Sequence, residues 1–172
     1  MKLTLRVLAI LAAGVIPAVL SAAPAPPATA SAKVEARSDS KLSGTATFTQ
    51  DGDHVHVVLD VTAAPAGVHA VHIHEKGDCS APDAMSAGGH FNPTHASHGA
   101  PDAPVHHAGD FGNMTVGEDG HGHLEIDSKM LTIAPGENSV VGRAIVVHGK
   151  ADDMTSQPAG NAGPRIGCGV IH

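Results

Sequence analysis

Between His72 and Asp110 the chain reads HIHEKGDCSAPDAMSAGGHFNPTHASHGAPDAPVHHAGD and holds seven of its fourteen histidines. Neither packing nor solubility calls for that density. Imidazole is the commonest protein metal ligand, so the clustering points to metal. His72 and His74 stand one residue apart. On a strand, positions i and i+2 share a face with Cα atoms roughly 7 Å apart, so two such imidazoles can converge on one ion. Farther on, His90, His98, His107 and Asp110 offer three imidazoles and a carboxylate, a complete tetrahedral set for zinc. His106 adjoins His107, and spacing alone does not choose between them.

The elements that must position these groups read as strands. Thr45 to Phe48 and Val55 to Val61 alternate about Gln50-Asp51-Gly52-Asp53, whose Asp-Gly is a hairpin signal. His69 to His74 is the next strand; Met114 to Val116 and His123 to Ile126 flank the turn Glu118-Asp119-Gly120. Ser139 to His148 is an apolar run fit for a buried strand, and Gly167 to Ile171 closes the chain. No helical periodicity of useful length appears. Two long segments lack strand pattern, Glu75 to Ala108 and Gly149 to Pro164. Long loops in compact domains usually serve function, and these two flank the candidate ligands. The expectation is an all-β domain with two functional loops.

The N-terminus has a different character. Lys2 and Arg6 precede an apolar run from Val7 to Leu20, followed by Ser21-Ala22-Ala23. This reads as a secretory signal peptide over 1–23, too short to span a bilayer, which takes roughly 20 apolar residues. Cleavage after Ala30 or Ala32 is an alternative, and residues 24–32 read as an Ala/Pro-rich lead-in to one domain over 33–172. Without Lys2 and Arg6 the chain keeps eight basic against 17 acidic residues, net −9. Such a surface excludes nucleic acid as partner. With three Phe and no Trp or Tyr, the core must be aliphatic. Two cysteines in an exported protein imply one disulfide, Cys79–Cys168.

The segments GVHAVHIHEKGDC, SAGGHFNP, HHAGDFGN, VVGRAIVVHGKADD and GNAGPRIGCGV resemble, in family order, the copper/zinc superoxide dismutases in their secreted bacterial form. The resemblance runs from Gly67 almost to the C-terminus. It implies a Greek-key β-sandwich or flattened barrel of about eight antiparallel strands, the architecture of that family. It implies copper on His72, His74, His90 and His148, and zinc on His90, His98, His107 and Asp110, one ion of each. The pattern His-x-Gly-Asp selects His107 over His106, and His90 would bridge the metals as an imidazolate. Asp152, with Asp153 beside it as the one-residue rival, would link His72 to His98 and fix their tautomers. Arg165 would hold the superoxide anion beside copper, with Arg165 and His90 as the catalytic pair. The implied reaction is disproportionation of superoxide to dioxygen and hydrogen peroxide, as antioxidant defence in the bacterial periplasm.

The chain also departs from the animal members of that family. The loop between His148 and Arg165 is short and keeps only Lys150 and Arg165 as positive groups; Ala159 replaces a channel threonine. The oligomeric state, a homodimer among the options, is left open. Two other classes compete. A copper carrier of the same fold would lack a copper ligand or the arginine, and none is missing here. A zinc-sequestering protein would use the surplus histidines His54, His56, His121 and His123, for which solvent-facing strand positions are the simpler reading. His69 falls on the opposite face from His72 and suits scaffold hydrogen bonding. His95 and His106 have no ligand role in the resemblance.

Overall fold

A computed structural model describes residues 27–172. Eight strands follow in order: β1 Thr29–Ala36, β2 Ser43–Asp51, β3 His54–Thr62, β4 Gly67–His74, β5 Asp110–Val116, β6 Gly122–Ser128, β7 Ala144–His148 and β8 Arg165–Val170. They close into an antiparallel barrel in the order β1-β2-β3-β6-β5-β4-β7-β8. The closure is thin at two seams. β5 meets β6 through the single pair Val116 and Gly122, and β1 meets β8 through Glu35–Cys168 and Ala36–Gly167. The barrel is therefore flattened into two faces, β1-β2-β3-β6 and β5-β4-β7-β8. The one helical piece among the described residues is a 3-10 turn, Met85–Ala87.

Strand alternation puts Ala46, Phe48, Val55, Val57, Leu59 and Val61 inside, where β-branched and small side chains fill the interior. On the other face, β4 runs buried from His69 to His74 and β7 is buried throughout. These two strands have cover on both sides. Val71, Ile73, Ile145 and Val147 belong to the barrel core. Ala144, Val146 and Cys168 pack outward against Ala84 and Ala87 of the long loop. His72, His74 and His148 stand on that same outward side, since His72 pairs with Val146 and His74 with Ala144.

Two expectations need correction. Thr29 to Ala32, read as part of the lead-in over 24–32, stand in β1, which begins at Thr29; residues 24–26 lie outside the described residues. Thr29 to Ala32 have weak strand character of their own, and pairing with Thr49 to Ala46 of β2 overrides it. The strand read over Ser139 to His148 contracts to Ala144–His148. Gly142 takes φ +80° and Arg143 N–H returns to Val140 O at 3.2 Å, so a turn interrupts the apolar run.

Cys79 and Cys168 are joined, with Cα atoms 5.8 Å apart and 89 residues between them. The bond ties the loop after β4 to β8. Closing a loop of this length is worth roughly 4–5 kcal/mol in the chain-entropy treatment. Reduction should therefore lower Tm by roughly 10 °C, checked by thermal melts with and without reductant. An unchanged Tm would mean that the loop holds without the bond.

Candidate metal centre

Between β4 and β5 the chain makes a long excursion and returns to the strand it left. Glu75 N–H donates to Gly89 O at 2.9 Å and Phe91 N–H to Ile73 O at 2.8 Å. Those bonds set His90 opposite His74. Phe91 is buried, and Arg143 lies 4.2 Å over its ring, anchoring the return. A second pass brings Gly109, which donates to Phe91 O at 3.0 Å and accepts from Ile73 N–H at 2.9 Å. His107 and Asp110 thereby arrive beside His90. His148 enters from β7 and His98 from the middle of the excursion.

Two groups of donor atoms result, each within 4.8 Å: His72, His74, His90 and His148, and His90, His98, His107 and Asp110. His90 belongs to both. Its Nδ1 lies 2.9 Å from Asp110 Oδ1, while its buried Nε2 has no hydrogen-bond partner. In the second group, Asp110 Oδ1 is 3.0 Å from His98 Nδ1 and 3.2 Å from His107 Nδ1; His107 Nδ1 is 3.3 Å from His90 Nδ1. Ligands of a tetrahedral zinc ion at about 2.0 Å lie about 3.3 Å apart. His72 Nδ1 and His98 Nδ1 are also buried without hydrogen-bond partners, and His74 Nε2 faces His148 Nε2 at 3.4 Å. Orphaned ring nitrogens converging in this way suit cations, not hydrogen bonds.

Around these groups the outer contacts are set. Asp152 accepts from His72 Nε2 at 2.8 Å and from His98 Nε2 at 2.9 Å, which turns each Nδ1 toward its cluster. Asp110 Oδ2 accepts His107 N–H at 2.9 Å and Gly99 N–H at 3.2 Å, leaving Oδ1 aimed inward. Asp153 stands apart and knits its own loop, accepting from Ser156 N–H at 2.8 Å. His106 and His95 lie outside both groups. His69 is buried, its ring nitrogens each 2.8 Å from the carbonyls of His148 and Pro65.

Burial, ahead of the neighbouring His72, His90 and Arg165 charges, holds several rings neutral. His148 is lowered from 6.5 to about 2, His74 well below 6.5. His90 is lowered to about 4, mainly by burial, against the pull of Asp110. Burial opposes the charge of His98 too, but Asp152 and Asp110 outweigh it and raise that ring. Asp110 and Asp152 are both lowered, because histidine hydrogen bonds overcome the burial cost of the charge. For a ring lowered on folding, the unfolded chain binds protons first as pH falls. Stability is then lost from about 6.5 downward, through about 4 for His90. His98 has the opposite sign, as does His123, which Asp60 raises at an exposed, solvent-screened position; the three buried lowered rings outweigh them. The metal-free protein should melt at a lower temperature at pH 5 than at pH 7; a higher Tm at pH 5 would contradict this balance.

An open cleft of about 830 Å³ lies over the first group, lined by His74, His90, His148, Arg165, Asp83 and Ala159 among others. Arg165 donates from Nη1 to Ala84 O and from Nη2 to Gly88 O, both at 2.7 Å. Burial lowers its pKa and Asp83 partly offsets that. The carbonyls fix the guanidinium at the cleft, with further N–H groups left for an anion.

A sequence model of the copper/zinc superoxide dismutase family matches residues 42–171. The chain belongs to the copper/zinc superoxide dismutases. The solved structure titled as that of the clock protein EA4 is similar, with 36% identity and a TM-score of 0.75 over 88% of this chain and 98% of that one. As a superoxide dismutase the chain is an enzyme whose family works with copper and zinc, and both donor groups fit such ions. Three participants carried no signal in the reading of residue types. Asp83 is an ordinary loop acid in sequence. Asn113 donates from Nδ2 to Asp152 O at 3.0 Å and accepts Asp152 N–H at 2.7 Å. Gly160, at φ +64°, passes so close to Asp152 and His98 that any Cβ would collide with both.

Proposed function

We propose that the mature chain disproportionates superoxide in the cell envelope. Copper would sit on His72, His74, His90 and His148, and zinc on His90, His98, His107 and Asp110. The observation that carries this reading is the shared ring of His90, with one nitrogen turned to each donor group. Copper supplies one-electron redox chemistry when bound and zinc supplies a fixed positive charge. Arg165 binds the superoxide anion with the N–H groups that Ala84 and Gly88 leave free. His90 Nε2 takes a proton in one half of the cycle and releases it in the other, with Nδ1 held on the zinc side. Asp152 keeps His72 and His98 in one tautomer throughout. Two superoxides and two protons give one dioxygen and one hydrogen peroxide.

Location rests on residues 1–23, which lie outside the described residues, and on the disulfide, a bond of oxidising compartments. Export would remove the leader after Ala23. Cleavage after Ala32 would cost β1 four of its seven pairings with β2. The test is elemental analysis after loading beside a dismutation assay. One copper and one zinc per chain with turnover is expected; a fully loaded but inactive protein would overturn the reading.

The cleft also holds one charge of the wrong sign. Asp83 lines it and is felt by Arg165, so it repels the substrate anion. Asp83→Asn should raise kcat/KM at low ionic strength, with the gain fading as salt shortens the Debye length to about 10 Å at 0.1 M. A rate below wild type at low salt would show that Asp83 serves to hold Arg165 instead.

A further inference from the structure

A second histidine-carboxylate arrangement lies on the other face of the barrel, away from β4 and β7. His54 and His56 alternate with buried Val55 and Val57 on β3, so both imidazoles stand on the outer surface. β6 runs antiparallel beside them and places Asp127 opposite His56. Asp127 Oδ1 is 2.8 Å from His56 Nδ1 and 3.9 Å from His54 Nε2. One carboxylate oxygen thus lies between two rings of a His-x-His pair. Glu125 Oε1 adds a further oxygen 3.5 Å from His56 Nε2, and Asp51 Oδ2 lies 3.9 Å from His54 Nε2. The pair repeats the device with which His72 and His74 begin the buried site.

We propose that His54, His56 and Asp127 form a third, surface metal site for a divalent transition ion such as Zn²⁺ or Cu²⁺. Two imidazoles with a carboxylate select such borderline ions over Ca²⁺ and Mg²⁺, which take oxygen ligands. The spacings of 3.9 Å are wider than in the buried groups, and the partly exposed rings can turn to close them. Three protein donors leave positions to water, so the ion exchanges freely while the buried ions are retained. The protein's net charge of −7 favours any cation approaching this face. Lys129, the nearby base, is taken up by Asp53 at 3.1 Å.

The test is calorimetric titration of the metal-loaded enzyme with Zn²⁺, and separately with Ca²⁺, for wild type and the double variant His54→Gln/His56→Gln. Both positions are partly exposed and outside the cleft, so the variant should keep its fold and its dismutation rate. One additional equivalent of Zn²⁺ on wild type is expected, lost in the variant, with no uptake of Ca²⁺. The reading is the difference between the two proteins, so it stands whatever the buried groups hold. No additional equivalent on wild type would overturn the proposal, as would the same uptake by the variant. Equal uptake of Ca²⁺ would reduce the face to a patch of acids and overturn it too.

Discussion

His90→Ala is expected to abolish dismutation, whereas His95→Ala and His106→Ala leave it unchanged. All three residues lie in the same histidine-rich stretch, and position separates them. His90 is the one ring common to both donor groups, and its unpartnered Nε2 is buried. On the proposed assignment, removing it takes a ligand from each ion and the proton carrier from the reaction. His95 is exposed at a turn with φ +54°, and His106 turns its Nδ1 toward the carbonyl of His107 at 2.8 Å. Activity and metal content of the three variants, measured side by side, check the assignment. An active His90→Ala enzyme, or an inactive His106→Ala enzyme with its metals depleted, would reassign the ligand set.

Arg165→Ala should lower kcat/KM by about 10- to 100-fold, the lower part of the roughly 10- to 1,000-fold range over which a focused local field raises capture of an ion. Both metals should stay bound, because Arg165 belongs to neither donor group. Lys150 does not line the cleft, so Lys150→Ala should matter less. Arg165→Lys restores the charge but not the paired anchoring to Ala84 and Gly88, and should recover only part of the rate. Salt gives an independent reading. Remaining net acidic charge repels the substrate, while Arg165 and the metal attract it at short range. A dominant local attraction makes the wild-type rate fall as the Debye length shrinks from about 30 Å at 0.01 M to about 10 Å at 0.1 M. A rate that climbs with salt, or an unaffected Arg165→Ala enzyme, would misplace the capturing residue.

What could be read in the chain beforehand follows from what leaves a periodic trace. Strand alternation in β2 and β3 and the His72–His74 spacing are local, and both appear where expected. The two unpatterned stretches coincide with the segments between β4 and β5 and between β7 and β8. β1 leaves little trace of its own, because its first residues, Thr29 to Ala32, are small and acquire strand geometry only from β2. The turn at Gly142 was hidden inside an apolar run, where periodicity cannot mark a reversal. Choosing His107 over His106 and Asp152 over Asp153 took the family pattern, since adjacent identical residues carry no spacing signal. The part played by Gly160 depends on an absent side chain meeting Asp152 across eight residues, which no local pattern expresses.

In the proposed centre the His90 ring joins two ions. This is tested most directly by electron paramagnetic resonance on enzyme holding Cu²⁺ in the first donor group and Co²⁺ as a magnetic stand-in in the second. An imidazolate shared through Nδ1 and Nε2 couples the two spins. The copper signal, present when zinc fills the second group, is expected to be largely lost when cobalt replaces it. A copper signal of full intensity with both groups filled would contradict it.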